Sequence, residues 1–181
     1  MKGFVRDNQL LSLCGLNCGL CPMNLGGHCS GCGNGNQSCK IARCSLEHNG
    51  IGYCFECLEY PCDKYLRIDE YDSFITHQNL KANLERAKTI GISRYNEEQQ
   101  EKIRILNLLL ARYNDGRRKT FFCLAVNLLP LSELKAAVSQ LNDLEDLSLK
   151  ERSAQAVRLL QSAADTHGIL LKLRKKPRSA T

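Results

Sequence analysis

From Asp72 onward, apolar residues recur every three or four positions, which is the spacing of an amphipathic α-helix. Capping and turn residues divide this pattern into five stretches: Ser148 and Glu151 match a capping box at the start of the last stretch, and Pro130 stops the third. The predicted helices cover Asp72–Ile90, Asn96–Tyr113, Arg117–Leu129, Ser132–Asn142 and Ser148–His167. Residues 169–174 are expected to form a short strand or an extended arm.

The chain before Tyr65 has no such period, and it contains ten of the eleven cysteines and ten of the thirteen glycines. The stretch Gly26–Asn36 consists only of Gly, Asn, His, Ser and Cys, so it has no apolar face to bury. We therefore expect a mainly α protein in two parts. A loop-rich, metal-stapled lobe at 1–66 is packed on a four- to five-helix bundle at 67–181, which ends in a basic tip at Lys175, Lys176 and Arg178.

The cysteines are closely spaced and include three C-x2-C pairs. Two cysteines separated by two residues can curl around one cation, and Zn²⁺ prefers four such ligands in a tetrahedron. Glycines beside the pairs, such as Gly31 and Gly33, suit the tight turns that this arrangement requires. The candidate metal ligands are Cys14, Cys18, Cys21, Cys29, Cys32, Cys39, Cys44, Cys54, Cys57 and Cys62.

The ligand count leaves the number of metals open. Ten cysteines supply two four-cysteine sites with two left over, and His28 and His48 would complete a third. The two histidines could equally be exposed loop residues. We expect about two or three structural Zn²⁺ per chain, in closed sites. A [4Fe-4S] cluster is the alternative, because Cys14-x3-Cys18-x2-Cys21 has a spacing that is used to bind such clusters.

The formal net charge is +6, and the excess of Lys and Arg lies after residue 66. This balance permits a nucleic-acid or acidic partner without requiring one. No apolar run is long enough to span a membrane, and the N-terminus lacks the pattern of a signal peptide. We therefore expect a cytoplasmic protein with no membrane partner, in which clustered cysteines bind metal rather than form disulfides.

Three cations, Arg117, Arg118 and Lys119, stand where the third predicted helix begins. Because a helix N-terminus favours negative charge, they either bind an anion such as phosphate or form a solvated basic turn. The chain contains no phosphate loop, G-x-S-x-G or H-E-x-x-H motif. The sequence favours a non-enzymatic zinc-binding module for protein or nucleic acid. The alternative is an iron–sulfur protein that transfers electrons or supports a redox enzyme.

Three strings are distinctive: CGLNCGLCP at Cys14–Pro22, CFECLEYPC at Cys54–Cys62, and NDGRRKTFFCLAVNLLP at Asn114–Pro130. Together with Gly168–Pro177, they resemble a family of cysteine-rich bacterial and archaeal proteins that is known only as a domain of unknown function. The resemblance spans nearly the whole chain. It implies a cysteine-rich metal-binding protein, often from anaerobes, and it implies no particular reaction.

Overall fold

The computed structural model describes residues 1–141 and 146–177. Over these residues the protein is mainly α and has no strand beyond one isolated β-bridge, which confirms the predicted fold class. None of the described helices combines the length and the apolar character needed to cross a membrane. The helices are α1 (Pro22–Leu25), α2 (Lys40–Glu47), α3 (Leu80–Ile90), α4 (Ile92–Arg112), α5 (Lys119–Leu128), α6 (Leu131–Leu141) and α7 (Leu149–Thr166).

The chain divides into two compact units. The first unit contains residues 1–97 together with the C-terminal arm from Leu173, and the second contains residues 98–172. The first unit thus includes α3 and the start of α4. The boundary that the sequence predicts after Leu66 therefore falls inside this unit, because the loops that carry the cysteines share a core with α3.

That core lies between the N-terminal loops and one face of α3. Leu80, Leu84 and Ala87 are buried and recur along α3 at the helical spacing, and they belong to one cluster with Leu11 and Leu13. The cysteines that pack against this cluster are Cys14, Cys32, Cys39, Cys54 and Cys62.

The first predicted helix begins later than its apolar pattern indicates. Residues 72–79 form turns, and α3 begins at Leu80. The cause is Asp72, whose side chain is fully buried and accepts hydrogen bonds from the N–H of His77 at 2.7 Å and the hydroxyl of Thr76 at 3.4 Å. These local bonds stabilise a turn in place of the helical ladder. The same carboxylate accepts from the backbone N–H of Arg174 at 2.7 Å, so it also fixes the C-terminal arm.

The second helix begins earlier than predicted, at Ile92 instead of near Asn96. Gly91 adopts a φ of 84° and ends α3, and α4 starts at the next residue. Asn96 is therefore inside the helix rather than at its N-cap. Its side-chain oxygen accepts a hydrogen bond from Asn8 at 3.1 Å, so a tertiary contact occupies the group that would otherwise cap the helix.

The second unit consists of the rest of α4 together with α5, α6 and α7. Helix α7 packs against both α5 and α6 and buries Ala156, Leu160 and Ala164. Lys102 of α4 donates to the carbonyl of Leu129 at 2.8 Å, which satisfies a carbonyl at the end of α5. Cys123 is buried within α5 and is only 4% exposed.

The helix limits of the second unit follow the predicted signals closely. Both hydrogen bonds of the capping box between Ser148 and Glu151 are formed, and α7 ends at Thr166 with His167 as its C-cap, one residue before the predicted end. Helix α5 starts at Lys119 rather than Arg117, because the two arginines belong to the preceding turn. Helix α6 starts directly after Pro130, and its predicted last residue, Asn142, lies outside the described residues.

Candidate metal centre

The first cysteine, Cys14, lies on a tight loop between Leu11 and Asn17. An antiparallel bridge joins the two ends of this loop. Gly15 turns the chain with a φ of 98°, and a Cβ atom on it would lie 2.0 Å from the carbonyl oxygen of Leu80. Glycine is therefore required for the loop to approach the start of α3 so closely.

Six cysteines gather around this loop. Burial is the main cause that raises the pKa of Cys18, and the thiols of Cys14, Cys32, Cys21 and Cys29 each raise that pKa further. Cys39 acts in the same direction on the pKa of Cys14 and that of Cys32. These mutual effects require the sulfurs to be near one another. The six-cysteine group consists of Cys14, Cys18, Cys21, Cys29, Cys32 and Cys39.

Four further cysteines line one small cavity. Cys44 comes from α2, Cys54 begins a short 3-10 turn, and Cys57 and Cys62 lie on the loop that follows. The cavity volume is about 20 Å³, and its wall also includes Tyr65. We call these residues the four-cysteine group. It adjoins the six-cysteine group where Cys54 and Cys14 interact.

Burial is also the largest influence on the other thiols whose pKa is displaced. It raises the pKa of Cys14 to about 11 and that of Cys54 to about 12, and it shifts the pKa of Cys32 in the same direction. Without a bound cation these thiols are therefore neutral at pH 7. A metal ion would replace their protons and supply the positive charge that thiolates require.

Several hydrogen-bond donors point at the sulfurs. Ser12 Oγ lies 3.2 Å from Cys14 Sγ, and the backbone N–H of Leu13 forms a hydrogen bond with the sulfur of Cys32. The carbonyl of the same Leu13 accepts from the N–H of Cys54 at 3.2 Å, so one residue of the tight loop contacts both groups. Donors around the sulfurs favour a thiolate over a thiol, and metal sites use such outer contacts to orient their ligands.

Glycines leave the space that the Cys29–Cys32 turn needs. A Cβ atom on Gly35 would lie 2.2 Å from the sulfur of Cys29, and one on Gly31 would lie 2.1 Å from the side-chain oxygen of Gln9. That oxygen accepts the backbone N–H of Cys32 at 3.0 Å. The turn is therefore fitted closely around the two cysteines and Gln9, and Gly33 at its end lies against the ring of Phe4.

The two candidate histidines lie at the margins of these groups. His28 is exposed, and its ring covers Gly26. His48 Nδ1 lies 2.8 Å from the carbonyl oxygen of Cys44 and 3.6 Å from the sulfur of Cys44. His48 Nε2 is 3.9 Å from a carboxylate oxygen of Glu59. Metal ligation by either histidine stays a prediction.

The cations at the start of α5 belong to a turn whose side chains accept hydrogen bonds from the backbone N–H groups of the same turn. Asp115 accepts the backbone N–H of Arg117 at 3.0 Å, and Asn114 accepts that of Arg118 at 3.1 Å. The carboxylate of Asp115 also lies 3.8 Å from Nε of Arg118. An anion would therefore compete with Asp115, and anion binding by these residues with Lys119 stays a prediction.

The predicted basic tip is described only in part. Lys175 and Lys176 belong to the arm of the first unit, and Arg178 lies outside the described residues.

Within residues 1–141 and 146–177, no three His, Cys, Asp or Glu side chains stand in the arrangement of a metal site. No disulfide joins any of the eleven cysteines, all of which are described. Searches of protein families, of curated proteins and of solved structures each find no match to this chain. The metal therefore stays a prediction that rests on the spacing and gathering of the cysteines, and the resemblance to a cysteine-rich family stays one that rests on sequence strings.

Sequence reasoning found the cysteines but missed the groups that surround them. Gln9 contacts Cys32 and Tyr65 contacts Cys54, and both pairs are distant in sequence. Ser12 contacts Cys14 within one tight turn. The one available signal was position, because Lys64 and Tyr65 stand two and three residues after Cys62.

Proposed function

We propose that the first unit is a zinc–thiolate module that depends on metal for its fold and binds protein or nucleic acid without catalysing a reaction. The observation that carries the proposal is the gathering of ten cysteines from separate loops into two adjoining groups within one unit. Unligated thiols gain little from such an arrangement, whereas closed four-thiolate zinc sites are built in this way.

The surroundings of the sulfurs support the same proposal. Hydrogen bonds from Ser12 to Cys14 and from Leu13 to Cys32 would stabilise thiolates. The glycine-rich turn around Cys29 has no apolar face of its own, so bound metal would supply the free energy that orders it. One structural zinc contributes about 10–16 kcal/mol of apparent binding free energy near neutral pH.

The first test is the metal content and visible spectrum of protein purified without oxygen. The proposal expects about two or three zinc ions per chain and no visible absorption, because Zn²⁺ is a d¹⁰ ion. Cys123→Ala is the matched control, because Cys123 belongs to the second unit and its loss should leave the zinc content unchanged. Protein that carries no metal, and takes up none when zinc is added, would refute the proposal.

An iron–sulfur protein in electron transfer, or in support of a redox enzyme, is the second candidate. The observation that favours it is the closeness of Cys14 and Cys21 to Cys18, which brings the three cysteines of the Cys14-x3-Cys18-x2-Cys21 string together. In that case the same purification would yield iron with equivalent sulfide and a brown chromophore, and a [4Fe-4S] cluster would replace zinc in the six-cysteine group.

The exposed apolar side chains of the first unit favour a protein partner. Val5, Leu58 and Phe74 are all more than half exposed, and Leu58 directly follows Cys57 in the chain. A nucleic-acid partner would instead contact phosphates through basic residues such as Lys175 and Lys176. Titration of a labelled oligonucleotide at low and high salt separates the two, because phosphate contacts lose affinity steeply as salt rises.

A further inference from the structure

The cavity lined by the four-cysteine group has the size of a single ion site. Its volume of about 20 Å³ is enough for one water molecule or an ion of similar size. Four sulfurs are also the complete ligand set of a closed tetrahedral zinc site. The cavity therefore has room for one ion and cysteines as donors, and the four side chains, which do not stand in the arrangement of a metal site without metal, would close around the ion. The sulfurs come from Cys44, Cys54, Cys57 and Cys62.

A buried hydroxyl at this cavity lacks a conventional partner. Tyr65 is only 3% exposed, and its hydroxyl has no nitrogen or oxygen partner among the described residues. The group that it engages is the sulfur of Cys54. A buried hydroxyl without a good acceptor destabilises the folded protein. A thiolate at Cys54 would remove this cost, because a charged sulfur accepts hydrogen bonds far better than a neutral thiol.

A cation stands on the outer side of the same cavity. Lys64 lines the cavity, and its ammonium group forms a hydrogen bond with the sulfur of Cys44. Lys64 is exposed, so it can approach the sulfur without losing its own hydration. Tyr65 therefore donates to one sulfur from the buried side of the cavity, and Lys64 donates to another from the solvent side.

We propose that Cys44, Cys54, Cys57 and Cys62 form a separate four-thiolate site for one zinc ion, with Tyr65 and Lys64 as positioning residues that donate to two of its sulfurs. This inference rests on the proposed function and adds the ligand assignment that the sequence leaves open. When Zn²⁺ enters, the four thiols release four protons to solvent and the site acquires a formal charge of minus two. The Lys64 ammonium offsets part of that charge, and the Tyr65 hydroxyl gains its acceptor.

The assignment is tested by zinc stoichiometry in cysteine variants of the full chain. Cys57→Ser should lower the zinc content by one equivalent, while the zinc of the six-cysteine group stays bound; Cys123→Ser should lower it by none. Wild-type protein without zinc would refute the proposed function itself. Wild-type protein with zinc, combined with a Cys57→Ser variant that keeps all its zinc or loses all of it, would refute only the separate site.

The positioning residues allow a test that does not remove a ligand. Tyr65→Phe should weaken the binding of one zinc by about 10–100-fold in competition with a chromophoric chelator, the range typical of outer-contact changes at metal sites. The matched control is Tyr60→Phe, because Tyr60 lines the same cavity and its hydroxyl is hydrogen-bonded to Glu85 instead. Lys64→Gln should weaken the binding of the same zinc ion. Because Lys64 is exposed, this substitution leaves the core unchanged.

A structural role for Tyr65 predicts a different pattern. If its hydroxyl served only the core, Tyr65→Phe would leave zinc affinity unchanged and would leave the metal-free protein as stable as before, or more so, since an unsatisfied polar group is removed. Equal zinc affinity in Tyr65→Phe, Lys64→Gln and wild type would therefore overturn the assignment of these two residues. With Co²⁺ in place of zinc, the thiolate-to-metal absorption of this site should be present in wild type and absent in Cys57→Ser, because the variant binds no metal there.

Discussion

Gly15 shows how one residue sets the position of a cysteine. Its φ of 98° is costly for any residue with a Cβ atom, and the added atom would lie 2.0 Å from the backbone of Leu80. The clash with Leu80 would arise whatever the cost of the positive φ. The loop that carries Cys14 therefore lies against α3 only because this position has no side chain.

We predict that Gly15→Ala destabilises the first unit by about 3–5 kcal/mol, because it combines an unfavourable φ with a clash against backbone. Gly91→Ala is the matched control: its φ is 84°, but nothing lies within 4 Å of the added atom, so it should cost only about 1–2 kcal/mol. Urea unfolding of both variants, followed by tyrosine fluorescence, measures the difference. Equal costs would mean that the approach to Leu80 is not tightly packed.

Asp72 is the second residue whose replacement has a defined outcome. Its side chain is fully buried and binds the backbone and guanidinium of Arg174, at 2.7 and 3.1 Å. We predict that Asp72→Asn lowers the free energy of unfolding by about 2–3 kcal/mol, the value of hydrogen bonds to a charged group. Asp69→Asn should cost less than about 1 kcal/mol, because the Asp69–Lys81 pair is partly exposed.

The cost of Asp72→Asn should also depend on pH. Burial acts to raise the pKa of Asp72, but the bonds from Arg174 and His77 together outweigh it and lower that pKa. The folded-state pKa therefore lies below the unfolded value of about 3.9, so the stabilisation is full above that value and is lost as pH falls through the folded pKa. Unfolding of wild type and Asp72→Asn should converge below about pH 4. The two proteins are compared at the same pH, so that loss of metal in acid affects both equally. A difference in the free energy of unfolding that stays constant down to acid pH would contradict a lowered pKa for Asp72.

At this scale the sequence predicted which side chains matter, but not how they combine. The C-x2-C spacing predicts cysteines as ligands because it is local, and their ligation of metal stays a prediction. The division into a six-cysteine and a four-cysteine group depends on contacts such as those of Leu13 with Cys32 and Cys54, which are distant in sequence. No spacing rule encodes such contacts.

Among the elements, α7 was the most predictable because its start signal is local and complete. Ser148 accepts the N–H of Glu151, and the Glu151 carboxylate accepts the N–H of Ser148 at 3.0 Å. The starts of α3 and α4 were not predictable in this way. Asp72 is diverted by its buried contacts with Arg174, and Asn96 by its hydrogen bond to Asn8, so tertiary partners overrode local capping preferences.

We predict that Ser148→Ala destabilises the second unit by about 1 kcal/mol, the usual cost of a lost N-cap. Ser162→Ala is the matched control within α7: its side chain is exposed and lies in the helix interior, where alanine is the better helix former. It should therefore be neutral or slightly stabilising. Thermal unfolding followed by far-UV circular dichroism measures both, and an equal effect of the two substitutions would show that the capping box contributes nothing.

On the scale of the whole molecule, the two units owe their order to different physics. The second unit buries regularly spaced apolar residues such as Leu106, Leu134 and Leu160 between helices. The first unit also has an apolar core, but it includes turns rich in Gly, Asn and Cys, such as residues 26–36. Such turns have few apolar atoms to remove from water, so their order must come from hydrogen bonds and, under our proposal, from metal.

This difference leads to a prediction for metal removal. A zinc chelator should abolish the protection of amide hydrogens from exchange in the loops that carry Cys14–Cys62, because each lost zinc removes about 10 kcal/mol or more of binding free energy. Helices α5, α6 and α7 should keep their protection, since their core contains none of the predicted ligands. Hydrogen exchange measured by mass spectrometry before and after chelation resolves the two units, and chelator saturated beforehand with zinc is the control. Uniform loss of protection along the chain would mean that the second unit depends on the metal as well. Unchanged protection in the cysteine loops, with zinc shown to be removed, would mean that hydrogen bonds and the core around α3 order the first unit by themselves.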